Sequence, residues 1–343
     1  MEEVLNMQKA EANKEFARYV SRNYAGWFSS GSEDQPLLSP GVFRSKVFPL
    51  LEKGKVMVIL IDNLRYDQWK IIEQEMGDLY RTDEEIIFSS ILPTATQYAR
   101  NAMFAGMMPS EIQRQHPGLW VDENEEGSKN AHEAELCRIQ MQKLGVEASF
   151  NYEKISNQRA GKKLVENHKD LLNYDLNVVV YNFVDMLSHA RTEMEMIREL
   201  AYDESSYRSL VNSWFQHSYL FDLLKQLNQH DIHLIITTDH GAVRVHDPLK
   251  VIGDRKTSMN LRYKQGRNLN YNKKEVFEVL QPEEVHLPRT NLTTSYIFAT
   301  NNDYLVYPNN YNHFVNLYRN TFQHGGISME EMLIPLSILS PVR

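Results

Sequence analysis

The chain has 343 residues, of which 42% are hydrophobic and 24% charged, with a formal net charge of −8. Its length and its 18 Tyr, 14 Phe and 4 Trp suffice for one large α/β domain with insertions or two modest ones, which excludes a disordered chain. No window approaches about 18 consecutive apolar residues, so no membrane insertion is expected, and the acidic balance excludes general coating of nucleic acid, which needs surplus Lys and Arg.

The opening Met1-Glu2-Glu3-Val4 lacks the basic-then-apolar run of a secretory signal, and the single cysteine, Cys137, fits a reducing compartment. A soluble, cytoplasmic protein is expected. Cys137 is assigned no role.

Residues 1 to about 30 predict a helix, because Val4, Met7, Ala10, Phe16, Tyr19 and Val20 recur near helical spacing between charges. Ser29 to Pro40 predicts a linker. The expected division is a helical segment and linker over 1–42 and one body over 43–343, with insertions at about 110–163 and 241–290. Val56 to Ile61 is a continuous apolar run ended by Asp62, the pattern of a strand buried on both faces. Val178–Val184 before Asp185, His233–Ile236 before Thr237-Thr238-Asp239, and Leu333–Leu336 repeat the form. Helical stretches lie between them, including 200–229. The expected fold is α/β, a mostly parallel central sheet flanked by helices, with inserted cap segments and an N-terminal helical segment. Ligands of such sheets bind beyond the carboxyl ends of the strands, where Asp62, Asp185 and Asp239 stand.

Any one aspartate at a strand end reads equally well as a helix cap. Three that converge on one sheet edge, with His189, His240 and His324 near them in sequence, read as a cation site, because unpaired carboxylates side by side repel one another and mixed Asp/His ligation suits zinc. The four-residue step from Asp185 to His189 puts both on one face of a helical turn. Gly241 frees the backbone after Asp239-His240, and Gly325-Gly326 let it pass close after His324. The stretch Leu92-Pro93-Thr94-Ala95-Thr96 reads as a helix start. A threonine there is either a plain N-cap or a nucleophile, held where unpaired helix N–H groups receive a phosphate and where a cation lowers the hydroxyl pKa.

Asp62, Thr96, Asp185 with His189, Thr238-Asp239-His240-Gly241 and His324-Gly325-Gly326 follow the chain order of the alkaline phosphatase superfamily, which the chain resembles over roughly 43–343. Pro93 to Thr96 through Ala105-Gly106-Met107-Met108-Pro109 is similar to the nucleophile segment of its nucleotide phosphodiesterase branch. The segments Ile61–Trp69 and His324–Pro335 resemble the PglZ subgroup, in particular the output domain of PorX-type response regulators, which are linked to type IX secretion. The resemblance implies two Zn2+ ions about 3.5–4 Å apart, one held by Asp62, Thr96, Asp239 and His240, the other by Asp185, His189 and His324. It implies Thr96 as the nucleophile of a phosphodiesterase working through a covalent phospho-threonine. Thr94 is the weaker choice. Asn63 departs from the glycine that many relatives carry after the first aspartate.

Two zincs and three aspartates leave little net charge in the pocket, which favours a monoanionic diester; Arg65 and Arg100 are candidates to supplement it. Residues 241–275 carry nine Lys or Arg against three acids. Arg255, Lys256, Arg262 and Lys264 are therefore expected at a substrate entrance, with Tyr263 and Tyr271 to stack bases of a nucleotide or short oligonucleotide. Protein partners in signalling or secretion and a second copy of the chain are further expected partners. The competing readings are a phosphomonoesterase or phosphomutase, and a regulatory interaction module with a structural metal site. A sulfatase is disfavoured because position 96 is Thr, not Cys or Ser.

Overall fold

The computed structural model describes residues 2–28, 35–123, 125–254 and 257–342. Its centre is strand β1 (Lys55–Ile61). Val56, Val58 and Leu60 enter one apolar cluster and Met57, Ile59 and Ile61 the other. Successive strand side chains point to opposite faces, so a run with apolar residues at every position fits only where both faces are covered. β1 pairs in parallel with β4 (Leu176–Tyr181) on one side and β5 (Ile232–Thr237) on the other.

Among the described residues the full sheet has six strands, with β2 (Tyr80–Ser89) and β3 (Phe150–Ile155) at its edges. The closing strand Leu333–Pro341 is inserted antiparallel between β2 and β5. The expected α/β class is borne out; the direction of the last strand is what the apolar pattern did not contain. The stretch 110–163, expected as a cap, instead supplies the helix Glu133–Leu144 and edge strand β3. The segment after β5 carries a small antiparallel sheet, in which Tyr263–Gly266 and Val276–Val279 flank Ser295–Ala299 and whose Tyr263, Val279, Tyr296 and Phe298 join the main apolar cluster. The helical stretch 200–229 is two helices, Glu204–Gln216 and Tyr219–Leu227, divided where the Ser218 hydroxyl accepts the Phe221 N–H. Among the described residues no helix is long and apolar enough to cross a membrane.

The N-terminal helix α1 (Glu2–Asn23) is clamped to this body by charge. Lys9 pairs with Glu204 and Glu330 at 2.7 Å each, and Asn13 bonds Glu330 and the Met329 N–H. Glu204 also meets Arg65 at 3.1 Å. Burial works to raise the Glu204 carboxyl, but Arg65 and Lys9 outweigh it and hold it at about 2. Its folded value lies below its unfolded one, so its contribution is complete above about pH 4.5 and fades as pH falls towards 2. Glu204→Gln is expected to cost about 1–3 kcal/mol at pH 7, after allowance for partial exposure, and almost nothing near pH 2. Urea unfolding at the two pH values checks this; an equal loss at both contradicts it.

Candidate active site

The carboxyl ends of β1, β4 and β5 meet at one edge, and each delivers its aspartate there. Asp62 follows β1 directly and donates its N–H to Tyr181 O at 2.9 Å. Asp185 and His189 share one face of the helix Phe183–Glu193. Asp239 and His240 follow β5 and are fully buried. His240 cannot turn freely, because Gly241 lies against the Glu330 carbonyl; a Cβ at Gly241 would sit 2.1 Å from that oxygen. The glycine is there for close approach and not for a positive φ. At Gly325 the backbone does take φ +124°, which a side chain would resist.

Two groups of donor atoms result, Asp62–Asp239–His240 and Asp185–His189–His324, each with its donor atoms within 4.8 Å of one another. In the first, His240 Nε2 lies 3.9 Å from Asp62 Oδ1 and 3.7 Å from Asp239 Oδ2. In the second, Asp185 lies 3.6 Å from His189 Nε2 and 3.7 Å from His324 Nε2. The groups adjoin: the His240 and His324 rings stack 4.2 Å apart, and Asn63 Nδ2 reaches Asp185 Oδ1 at 3.3 Å. Asn63 has φ +65°, a left-handed conformation that asparagine tolerates better than most residues.

The imidazole protons are placed by the backbone. His324 Nδ1 faces the Thr94 carbonyl at 3.1 Å and His240 Nδ1 the Gly241 carbonyl at 3.2 Å. A carbonyl only accepts, so each Nδ1 donates and each Nε2 presents its lone pair to the site. Burial first, then His240 and His189, push His324 well below its ordinary range, leaving it neutral. Burial also raises Asp62 and Asp185; Arg100 opposes this at Asp62, and the charge of Asp62 adds to it at Asp185. Asp239 Oδ2 is buried with no hydrogen-bond partner among the described residues. An orphaned carboxylate oxygen among lone-pair nitrogens suits a divalent cation, and the Asp/His set suits zinc.

Thr96 opens helix α2 (Thr96–Ala105). Its Oγ1 lies 3.1 Å from His240 Nε2 and 3.4 Å from Asp62 Oδ1. Tyr98 and Ala99 both donate to Ala95 O, so the N–H groups of Thr96 and Gln97 have no acceptor within the helix. Thr94 is fully buried; its hydroxyl donates to Gly326 O at 2.9 Å and accepts the Gly325 N–H at 3.0 Å. It ties the two segments together and is not free to attack.

The basic residues take other places. Arg100, one turn beyond Thr96, is buried with Nη1 2.7 Å from Asp62 Oδ2 and 3.6 Å from Asp239 Oδ2, while Nε meets Glu133 at 2.5 Å. It holds the outer oxygen of Asp62 and leaves Oδ1 facing the threonine. Arg65 is buried against Asp67 and Glu204. Arg262 is buried against Glu331 and backbone carbonyls, bracing the loop after His324, whose Gly326 N–H also bonds Glu331. Lys264 is buried over the Tyr307 ring, and burial pulls its ammonium down to about 7. Tyr263 is buried with its hydroxyl on Glu123, and Tyr271 bonds Glu278. The expectation of a basic, base-stacking entrance therefore fails for Arg262, Lys264 and Tyr263, which are buried, while Tyr271 is partly buried with its hydroxyl taken up by Glu278. Arg255 and Lys256 lie outside the described residues. Sequence reading missed Glu133, Glu331 and Asn130, whose side chain donates to the Thr96 carbonyl at 2.9 Å. No local pattern marks such partners, because each acts across tens to hundreds of residues.

Comparison with known proteins bears on the fold and the family. No curated protein sequence matches significantly. Among solved structures, murine ectonucleotide pyrophosphatase/phosphodiesterase 5 aligns with TM-score 0.54 at 12% identity, covering 83% of this chain and 88% of its own. An inactive threonine-to-alanine form of it, in complex with AMP, gives 0.52 at 11%, covering 84% and 88%. The human protein gives 0.50 at 11%, covering 83% and 87%. At such identities the likeness shows the fold alone. Residues 1–28 match the PorX response regulator linker domain. Residues 42–338 match the model described as BREX system PglZ alkaline phosphatase-like domain, and the chain therefore belongs to the PglZ family of alkaline phosphatase-like domains.

Proposed function

We infer that the protein is a zinc-dependent phosphodiesterase acting on nucleotide or short oligonucleotide diesters, with Thr96 as nucleophile. The observation that carries this reading is the approach of Thr96 Oγ1 to His240 Nε2 at 3.1 Å, at a helix start and beside two ligand triads. Two zinc ions, held by Asp62, Asp239 and His240 with Thr96 and by Asp185, His189 and His324, would activate the hydroxyl and neutralise phosphate charge. Thr96 Oγ attacks phosphorus in line: the Oγ–P bond forms as the bond to the leaving oxygen breaks. The first-turn N–H groups of α2, free of intrahelical acceptors beside Thr96, would receive the non-bridging oxygens as they gather charge. Water then displaces Oγ from phosphorus and frees the threonine.

Diesters are favoured over monoesters by what the cations do. Arg65, Arg100 and Arg262 are buried on internal carboxylates, and Lys264 is buried over Tyr307. None of the four adds charge for a dianionic monoester. The nucleotide reading draws on the murine neighbour, whose inactive form holds AMP. The match over 1–28, together with the Lys9 clamp, supports a cytoplasmic effector of a response regulator, with protein partners in signalling or secretion. The zinc-loaded protein is expected to turn over bis-(4-nitrophenyl) phosphate with kcat/KM at least about tenfold above that for 4-nitrophenyl phosphate, a difference of about 1.4 kcal/mol. The opposite ratio assigns a phosphomonoesterase; no turnover of either rejects the enzyme.

A further inference from the structure

At the same sheet edge, beside the second triad, lies a cavity of about 340 Å3 that the chemistry above does not use. That volume is typical of small-molecule pockets. Its walls come from the ends of β3 and β4, the start of the helix Phe183–Glu193, and the turn joining the helices Glu204–Gln216 and Tyr219–Leu227.

Three features give it a chemical character. Phe183 and Trp214 lie parallel within 4°, with ring centroids 4.4 Å apart, and both are half-buried. Met186, about half exposed, lines the same wall with its thioether. Tyr181 also lines it; only 4% of that residue is exposed, yet its hydroxyl has no hydrogen-bond partner among the described residues. A buried, unpartnered hydroxyl is costly unless something completes it. Flat rings, a soft sulfur and one polar atom suit a planar heteroaromatic ring that stacks and accepts a hydrogen bond.

Position links the cavity to the phosphate site. Tyr181 O accepts the Asp62 N–H at 2.9 Å, so the Tyr181 backbone adjoins the first triad. Phe183, Met186, Asp185 and His189 stand on one helix, each residue about 100° round from the last. Met186 and His189 are then neighbours on its surface, Asp185 beyond one and Phe183 beyond the other. His189 is exposed over 65% of its side chain, which leaves that side of the triad open towards the cavity wall.

We propose that this cavity is a base subsite: a nucleotide whose phosphate lies at the Asp185–His189–His324 triad carries its heteroaromatic base round the helix onto Phe183 and Trp214, with Tyr181 donating to a ring nitrogen or carbonyl. The inference rests on the phosphoesterase reading for where the phosphate sits. Selectivity then comes from the base, through stacking that tolerates every base, with a smaller preference from the Tyr181 hydroxyl.

The test uses calorimetric titration of the zinc-loaded full chain with AMP and with ribose 5-phosphate, which keeps the phosphate and sugar and lacks the base. AMP is expected to bind about tenfold tighter or more. Trp214→Ala removes that difference while leaving ribose 5-phosphate unchanged, and Tyr181→Phe weakens AMP about threefold. If Trp214→Ala does not fold by circular dichroism, the wild-type ligand pair and Tyr181→Phe still decide. Equal affinities in the wild type, no binding of either ligand, or variants that weaken both ligands alike overturn the proposal. Preference for AMP without hydrolysis of any diester sinks the catalytic reading alone; hydrolysis indifferent to the base sinks the subsite alone.

Discussion

Thr96→Ala is expected to abolish diester turnover, lowering kcat on the order of 10^4-fold or more, while the protein still folds. Loss of a nucleophile that acts as a unit with its activating groups has effects of this size, because the remaining members cannot act without it. The substitution removes one hydroxyl from a half-buried site and leaves Asp62, Asp239 and His240 in place. Zinc content by elemental analysis is therefore expected to stay near its wild-type level. Thr96→Ser keeps an oxygen at the same helix start and is expected to retain measurable activity. Undiminished turnover by the alanine variant would remove Thr96 from the chemistry, and joint loss of zinc and activity would make it a ligand only.

The second large effect is expected at Arg100. Its guanidinium is buried between Asp62, Asp239 and Glu133, and Glu133 is itself buried and bonded by Tyr152 and Lys154. Removing one member of a buried ion network leaves uncompensated charge, which typically costs about 3–5 kcal/mol. Arg100→Met is expected to shift the urea midpoint down by about 1 M or more. With its outer oxygen released, Asp62 is no longer held with Oδ1 towards Thr96, so zinc is expected to be lost from the first triad before the second. Arg100→Lys keeps the charge without the forked geometry and is expected to fall between the two. Wild-type stability in Arg100→Met would contradict the network.

Elements far from any motif set the reach of sequence reading. β1, β4 and β5 were legible because strands covered on both faces carry near-continuous apolar runs, such as Val178-Val179-Val180 and Leu234-Ile235-Ile236, where a half-exposed strand alternates. β3 was missed: Phe150-Asn151-Tyr152-Glu153-Lys154-Ile155 mixes polar residues as an edge strand does, and nothing local separates that from a cap. Arg262 and Lys264 read as basic surface because sequence counts charges and does not see that Glu331 or the Tyr307 ring awaits them.

The sequence by itself determined which backbone segments are buried and which aspartates and histidines follow them; it did not determine where β4 ends, because the apolar run continues to Val184 while the strand stops at Tyr181 and a helix starts at Phe183. Burial and chain reversal are local properties, written in apolar runs and in residues that stop them. Only the tertiary structure decided that Thr94 is a tie and Thr96 faces His240, that Arg100 braces Asp62, that the last strand runs antiparallel, and that Phe183 stacks on Trp214 beside a vacant hydroxyl. Those facts depend on which distant side chains meet, and that is settled by the packing of whole faces against one another.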